Sequence, residues 1–314
     1  MQRCGRSGIV ADTNEEEPAM RLDDLDPTDN ARDLGSGGFG GGGGGFPLLG
    51  LLPLLFGRGM GCGGIVLLGI VALIFFSMGG GGLLSGGGQQ VQQGQQGQTG
   101  ANRACDTQDE LFACRVMTST EQVWNQVFAE HGGRYDPPTI NFFQNSVQSA
   151  CGQASTAVGP FYCPGDQGVY LDTSFFAELD QRFGAKGDFA RAYVVGHEVG
   201  HHIQNLEGTS RQVSQAQARA SKTEGNRLSV LLELQADCYA GVWAKRSGRL
   251  EAGDIEEGMA AANAIGDDTL QRQGQGTVVP DSFTHGSSAQ RMEWLRRGLE
   301  SGDPATCNTF EGAQ

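Results

Sequence analysis

The chain has 314 residues, 51 of them glycine, and a formal net charge of −14. Phosphate binding draws on clustered Lys and Arg, so this charge excludes a general nucleic-acid surface; the pair Arg296 and Arg297 is too small to supply one. Most of the excess glycine lies before residue 100, in runs such as GGFGGGGGGFP and GGGGLLSGGGQQVQQGQQGQTG. Such runs cannot bury a continuous apolar face, so the folded mass is expected after them.

In chain order, residues 1–58 are expected to be a disordered acidic and Gly-rich region containing DTNEEEP and DDLDPTD. GMGCGGIVLLGIVALIFFSMGG follows; residues 60–78 carry no formal charge, and Ser77 is their polar exception. Its length and composition predict a transmembrane helix over 59–79, in contact with the lipid bilayer. A cleaved signal peptide fits less well, because the stretch starts far from the amino terminus and lacks a clear small-x-small site. The shorter FPLLGLLPLLFG at 46–57 would rest in the interface or extend the anchor. Arg58 precedes the span and no Lys or Arg follows it until Arg103. The expected protein is therefore single-pass, with its amino terminus in the cytoplasm and its carboxyl-terminal domain outside.

A flexible Gly/Gln linker at 80–102 leads to one domain at 103–314. Cys105, Cys114, Cys151, Cys163, Cys238 and Cys307 lie in it, outside any CxxC spacing. Six thiols allow 15 complete pairings, and an oxidising compartment would permit disulfides. Local closure of Cys105 with Cys114 and of Cys151 with Cys163 would leave Cys238 with Cys307; spacing leaves the other pairings open.

Within the domain, a helix is predicted over 118–131, with Thr118 and Glu121 at capping-box spacing. Pro137 and Pro138 break the chain before the strand TINFF. GVYLD at 168–172 reads as a second strand, at a sheet edge where substrate could pair or inside the sheet. Helices follow through SFFAELDQRF, from Gly187–Asp188 through YVVGHEVGHHIQNLEG, through RLSVLLELQADCYAGVWAKRSG, over 254–265 and from Ser287. SRQVSQAQARASKTEGN is read as a polar connection. The fold class is α+β, predominantly helical with a small sheet.

His197 and His201 are four positions apart, so one helical face can present both imidazoles to a single ion. Glu198 between them can approach a water on that ion, which is the His-Glu-x-x-His arrangement of a zinc hydrolase. His202 points about 100° away from His201 and is expected to make structural hydrogen bonds. A catalytic zinc needs a third protein ligand. Glu233 can supply it, with Asp237 four residues on as the acceptor that orients a ligand histidine. His285, in the loop DSFTHGSSAQRMEW, could donate to the oxyanion formed during hydrolysis. Arg291 could pair with an acid to anchor this loop or make a surface salt bridge. His131 is expected to cap a helix.

ACGQASTAVGPFYCPGDQGVYLDTSFF, FARAYVVGHEVGHHIQNLEG, LELQADCYAGVWA and THGSSAQRMEWLRRG together resemble the neutral zinc metallopeptidase family of bacterial, membrane-anchored proteins. The resemblance covers Arg103 to Cys307; the acidic, glycine-rich opening departs from it. It implies a zincin-like domain of the gluzincin group holding one catalytic Zn2+ through His197, His201 and Glu233. Asp237 would steady a histidine, and THGSSAQR around His285 would lie near the active site. The resulting expectation is a membrane-anchored peptidase, an endopeptidase rather than an exopeptidase, with Glu198 as general base for metal-activated water and a peptide or protein substrate. Rival readings are an inactive zinc-containing interaction module, against which the intact Glu198 weighs, and an amidase acting on cell-wall peptides.

Overall fold

The computed structural model describes residues 20–36 and 103–311. Residues 20–36 form part of the folded domain. Strand β1 (Ala31–Ser36) pairs in parallel with β2 (Thr139–Gln144), with Ala31 opposite Ile140, and Met20, Leu22 and Leu25 are buried in the main core. Thr28 and Asn30 donate to Glu121 and hold the segment on the first long helix. The domain boundary expected at residue 103 therefore lies inside this unit.

That helix, α1 (Gln108–Glu130), starts ten residues before the predicted start, with a capping box of Thr107 and Glu110. Thr118 is mid-helix, where its hydroxyl donates to Asp26 O and Cys114 O. After β2 come the hairpin β3 (Ser146–Ser149) and β4 (Gly152–Ser155), then β5 (Phe161–Cys163) and β6 (Gly168–Leu171). The main sheet has the order β1-β2-β6-β5, parallel except for the antiparallel β5–β6 pair. GVYL is thus an internal strand, all four residues buried, and β5 is an edge.

Helices α2 (Ser174–Gln181), α3 (Asp188–Glu207), α4 (Thr209–Gln217), α5 (Lys222–Ser247), α6 (Asp254–Ala264), α7 (Asp267–Gln275) and α8 (Ser288–Ser301) follow. The connection read as polar loop contains α4 and the first turn of α5. α3 lies between the sheet and α5, and α8 packs along α5. Small residues allow this: a Cβ on Gly200 of α3 would stand 2.8 Å from Ala236 O of α5, and one on Gly298 of α8 would strike Cys238 O. Among the described residues the disulfides are Cys105–Cys114, Cys151–Cys163 and Cys238–Cys307.

The α+β arrangement with a small sheet is present, but the expected membrane anchor is corrected. No helix among the described residues is long and apolar enough to cross a membrane. Residues 59–79, assigned to the span, and the linker 80–102 lie outside the described residues, as do residues 1–19. A single crossing at 59–79 would also place residues 20–36 and 103–311 on opposite sides of a bilayer. They are hydrogen-bonded in one sheet, and β1 packs against the short turn Arg103–Cys105 where the described chain resumes. The transmembrane helix, the single-pass membrane localisation and the cytoplasmic/outer division of the chain are withdrawn on this ground.

Candidate metal centre

Two buried helices carry the site. α3 begins after Gly187, where Glu257 of α6 accepts the backbone N–H of Phe189, and ends at Gly208 in the left-handed conformation. Its buried face includes Tyr193, His197, Glu198 and Gln204. α5 is capped by Ser221, with Lys245 and Arg246 complementing the dipole of its last turn. The close approach at Gly200 brings the two faces together.

His197, His201 and Glu233 each offer a ligand atom, and these atoms lie within 4.8 Å of one another. His197 Nε2 is 3.1 Å from Glu233 Oε2, and His201 Nε2 is 3.4 Å from Glu233 Oε1. The rings stand nearly perpendicular, their centroids 4.8 Å apart. The other ring nitrogens are occupied: His197 Nδ1 donates to Asp237 Oδ1 at 2.7 Å, and His201 Nδ1 lies 2.9 Å from Gln204 Oε1. Two imidazole nitrogens and a carboxylate converging on one point suit zinc, and outer partners holding both rings fit the same use.

Electrostatics favour a cation there. Burial opposes charge on Glu233, but His201 and His197 hold its carboxyl well below the usual range. Burial likewise opposes a protonated His197, yet Asp237 and Glu233 push it up to about 10. Negative potential that holds protons this firmly would also hold a metal ion in their place. Burial raises the Glu198 carboxyl above its ordinary value, against the pull of His197 and His201.

Asp237 is fully buried and its charge is matched by Arg291 on α8, which donates to both carboxylate oxygens, through Nε at 2.9 Å and Nη2 at 2.8 Å. Tyr193 Oη donates to the same Asp237 Oδ1 at 2.6 Å. Arg291 is only 3% exposed, so it belongs to this buried network and makes no surface salt bridge. Removing one partner of such a pair leaves a buried charge uncompensated.

His285 occupies the loop before α8, with its side chain 46% exposed. Asp267 Oδ2 accepts the backbone N–H groups of Thr284 at 2.6 Å, His285 at 2.7 Å and Gly286 at 3.2 Å, while Oδ1 lies 3.3 Å from His285 Nδ1. Burial works against charge on His285, but Asp267 and the nearby Glu233 raise its pKa. His202 is buried between Asp136 O, to which Nε2 donates at 2.7 Å, and Tyr162 Oη, 2.9 Å from Nδ1. His131 stands at the end of α1 with Nδ1 2.8 Å from Val127 O.

Sequence reasoning did not find Tyr193, Gln204 or Asp267. Tyr193 has a legible signal, four positions before His197 and so on the same helical face. Gln204, three after His201, shares a helical face with His197 and His201 and so was legible in the same way. Asp267 has no local signal, because its partners lie across a loop.

A family described as "Putative neutral zinc metallopeptidase" matches residues 20–310. "Uncharacterized protein YpfJ" of Escherichia coli (strain K12) is 51% identical over 202 residues, covering 63% of this chain and 70% of that protein. "Uncharacterized protein Rv2575" of Mycobacterium tuberculosis (strain ATCC 25618 / H37Rv) is 42% identical over 217 residues, covering 64% and 71%. No solved structure matches the chain. The family match starts at the first described residue, includes the segment that carries β1, and spans the two ligand helices and the Asp267–Arg291 region. By this match the chain belongs to the neutral zinc metallopeptidase family.

Proposed function

We propose that the protein is a zinc-dependent peptidase that cuts within peptide chains, with His197, His201 and Glu233 as the metal ligands. The observation that carries this reading is the convergence of those three donors beside Glu198, a buried carboxyl with a raised pKa on the same helix. When bound there, zinc polarises a peptide carbonyl and makes water more acidic.

The chain's own groups have separable tasks. Glu198 takes a proton on its carboxylate from the attacking water and returns it to the departing amine nitrogen. Asp237, charge-matched by Arg291, keeps the proton of His197 on Nδ1 and so leaves Nε2 for the metal. His285, gripped by Asp267 through its Nδ1 side, donates from Nε2 to the substrate carbonyl oxygen as negative charge builds on it. β5 lies against α3 and is a sheet edge among the described residues, where an extended peptide could add on both sides of the cut bond. Binding of that kind does not depend on a chain terminus, which supports internal cleavage.

The test compares the full-length wild type with Glu198→Gln and His285→Ala, measuring zinc content and digestion of an unbiased peptide library. Wild type should bind about one zinc per chain and yield internal cuts. Glu198→Gln should keep the metal and lose hydrolysis. His285→Ala should keep the metal and lose roughly 10²–10³-fold in kcat. Equal cleavage by wild type and Glu198→Gln removes Glu198 from this role. A folded, zinc-loaded wild type that cuts no peptide in the library favours an interaction module, and one that cuts only cell-wall peptides favours the amidase.

A further inference from the structure

Gln204 lies on α3 three residues after His201, is fully buried, and has no part in the steps above. Its side-chain amide meets three groups. Nε2 donates to Leu232 O at 2.6 Å and to Gln235 Oε1 at 3.1 Å, both on α5. Oε1 lies 2.9 Å from His201 Nδ1. The two ends of an amide differ in that nitrogen donates and oxygen accepts, so the partners decide its orientation. Leu232 O can only accept. This directs Nε2 toward α5 and turns Oε1 toward His201. Facing an acceptor, His201 Nδ1 carries a proton, which leaves Nε2, turned toward Glu233, as the nitrogen that a metal would take.

The chain of contacts continues. Gln235 Nε2 donates to Cys307 O at 3.1 Å, which orients its Oε1 toward Gln204. Cys307 is bonded to Cys238 of α5, and Thr309 Oγ1 donates to Leu231 O at 2.6 Å. Residues 307–309 are thus fastened to α5 at Leu231, Gln235 and Cys238, on either side of Glu233 in sequence.

We infer that Gln204 is a positioning residue for the metal centre: it holds His201 in the Nδ1–H form with Nε2 turned to the cluster, and Gln235 and the Cys307 carbonyl hold Gln204. The inference rests on the metallopeptidase reading and adds a residue to it. The two histidines are served differently. At His197 a carboxylate does the orienting, and Arg291 matches its charge; at His201 a neutral amide does it. Both rings are therefore aimed without net charge being added beside them, which leaves Glu233 as the ligand that answers the cation.

Gln204→Leu and Gln204→Glu both remove the donors to Leu232 O and Gln235, but only Gln204→Glu keeps an acceptor for His201 Nδ1. Comparing them separates ring positioning from helix packing. The measurements are zinc affinity by chelator competition on the full chain, and the exchange of the His201 Nδ1 proton with water by NMR of the zinc-loaded protein. Wild type should show a slowly exchanging Nδ1 proton. Gln204→Leu should lose that protection and about 10–100-fold in zinc affinity. Gln204→Glu should keep the protected proton and bind zinc more tightly than Gln204→Leu, and Gln235→Leu should show a smaller loss in the same direction. Zinc binding by wild type with an unprotected His201 Nδ1 proton overturns the inference alone, and this spectrum decides the point even where the variants fail to fold. Equal affinity in wild type and Gln204→Leu overturns it as well, as does a Gln204→Glu indistinguishable from Gln204→Leu. A folded wild type that binds no zinc overturns the metallopeptidase reading, and this inference with it.

Discussion

Asp267 illustrates how much a single carboxylate can organise. It is buried at the start of α7 and collects three successive backbone N–H groups from the loop that carries His285. Burial raises its pKa, but the hydrogen bonds and charge of His285 and the loop amides outweigh this and hold the carboxyl below the usual aspartate range. The sign follows from linkage. A depressed folded-state pKa contributes stability that is complete above the unfolded value of ~4 and is lost as pH falls through the folded value. Asp267→Asn keeps an acceptor but cannot titrate there. It should cost roughly 1–3 kcal/mol at neutral pH, and its stability should fall less steeply than wild type below pH ~4. Denaturant unfolding across pH 2–7 measures both; identical acid slopes would show that Asp267 does not couple to folding.

At the scale of elements, the metal centre depends on two helices approaching closely enough for Glu233 to meet both histidines. Gly200 sets that approach, since a Cβ there would stand 3.0 Å from Ala236 Cα and nearer still to its carbonyl oxygen. Backbone atoms cannot step aside as a flexible side chain can. Gly200→Ala should therefore cost about 1–3 kcal/mol from overpacking and weaken zinc binding by moving α3 and α5 apart. Gly225→Ala in the same α5 helix is the control: a Cβ there meets nothing within 4 Å, and the change should stabilise by roughly 0.5–1 kcal/mol. Thermal unfolding with zinc titration distinguishes them. A Gly200→Ala protein with wild-type stability and affinity would show that the helices can shift without disturbing the ligands.

For the molecule as a whole, the domain is built from two stretches of chain, and neither is complete alone. Burying Met20, Leu22 and Leu25 is worth about 1.5–3 kcal/mol each, comparable in sum to the ~5–15 kcal/mol that holds a domain together. Losing β1 would also uncover one side of β2. Residues 103–314 expressed alone should therefore unfold at a much lower temperature than the full chain, or aggregate through the exposed edge. Replacing residues 37–102 by a short Gly/Ser linker should preserve folding, because β1 packs beside Arg103–Cys105 where the chain resumes. Melting curves of the two proteins decide between this architecture and an independent carboxyl-terminal domain.

What the sequence determined by itself was local. His197, Glu198 and His201 are ordered by the period of one helix, and Glu233 and Asp237 by that of another, so their spacing was readable before any packing was known. Most helices after residue 170 were legible for the same reason. The tertiary structure decided what depends on distant partners. β1 is a short strand near a glycine-rich run, with no apolar alternation of its own, and it becomes a strand because β2 offers an edge. Whether Arg291 pairs with an inner acid or makes a surface salt bridge is decided only when α8 is laid on α5, and Gln204 looks like a neutral polar residue until its amide reaches Leu232 and Gln235. The expected membrane span came from counting apolar residues in one window, and such a count cannot register that the chain on both sides of that window shares one sheet. Periodicity is a property of neighbours along the chain, whereas burial, register and charge pairing belong to residues that only folding brings together.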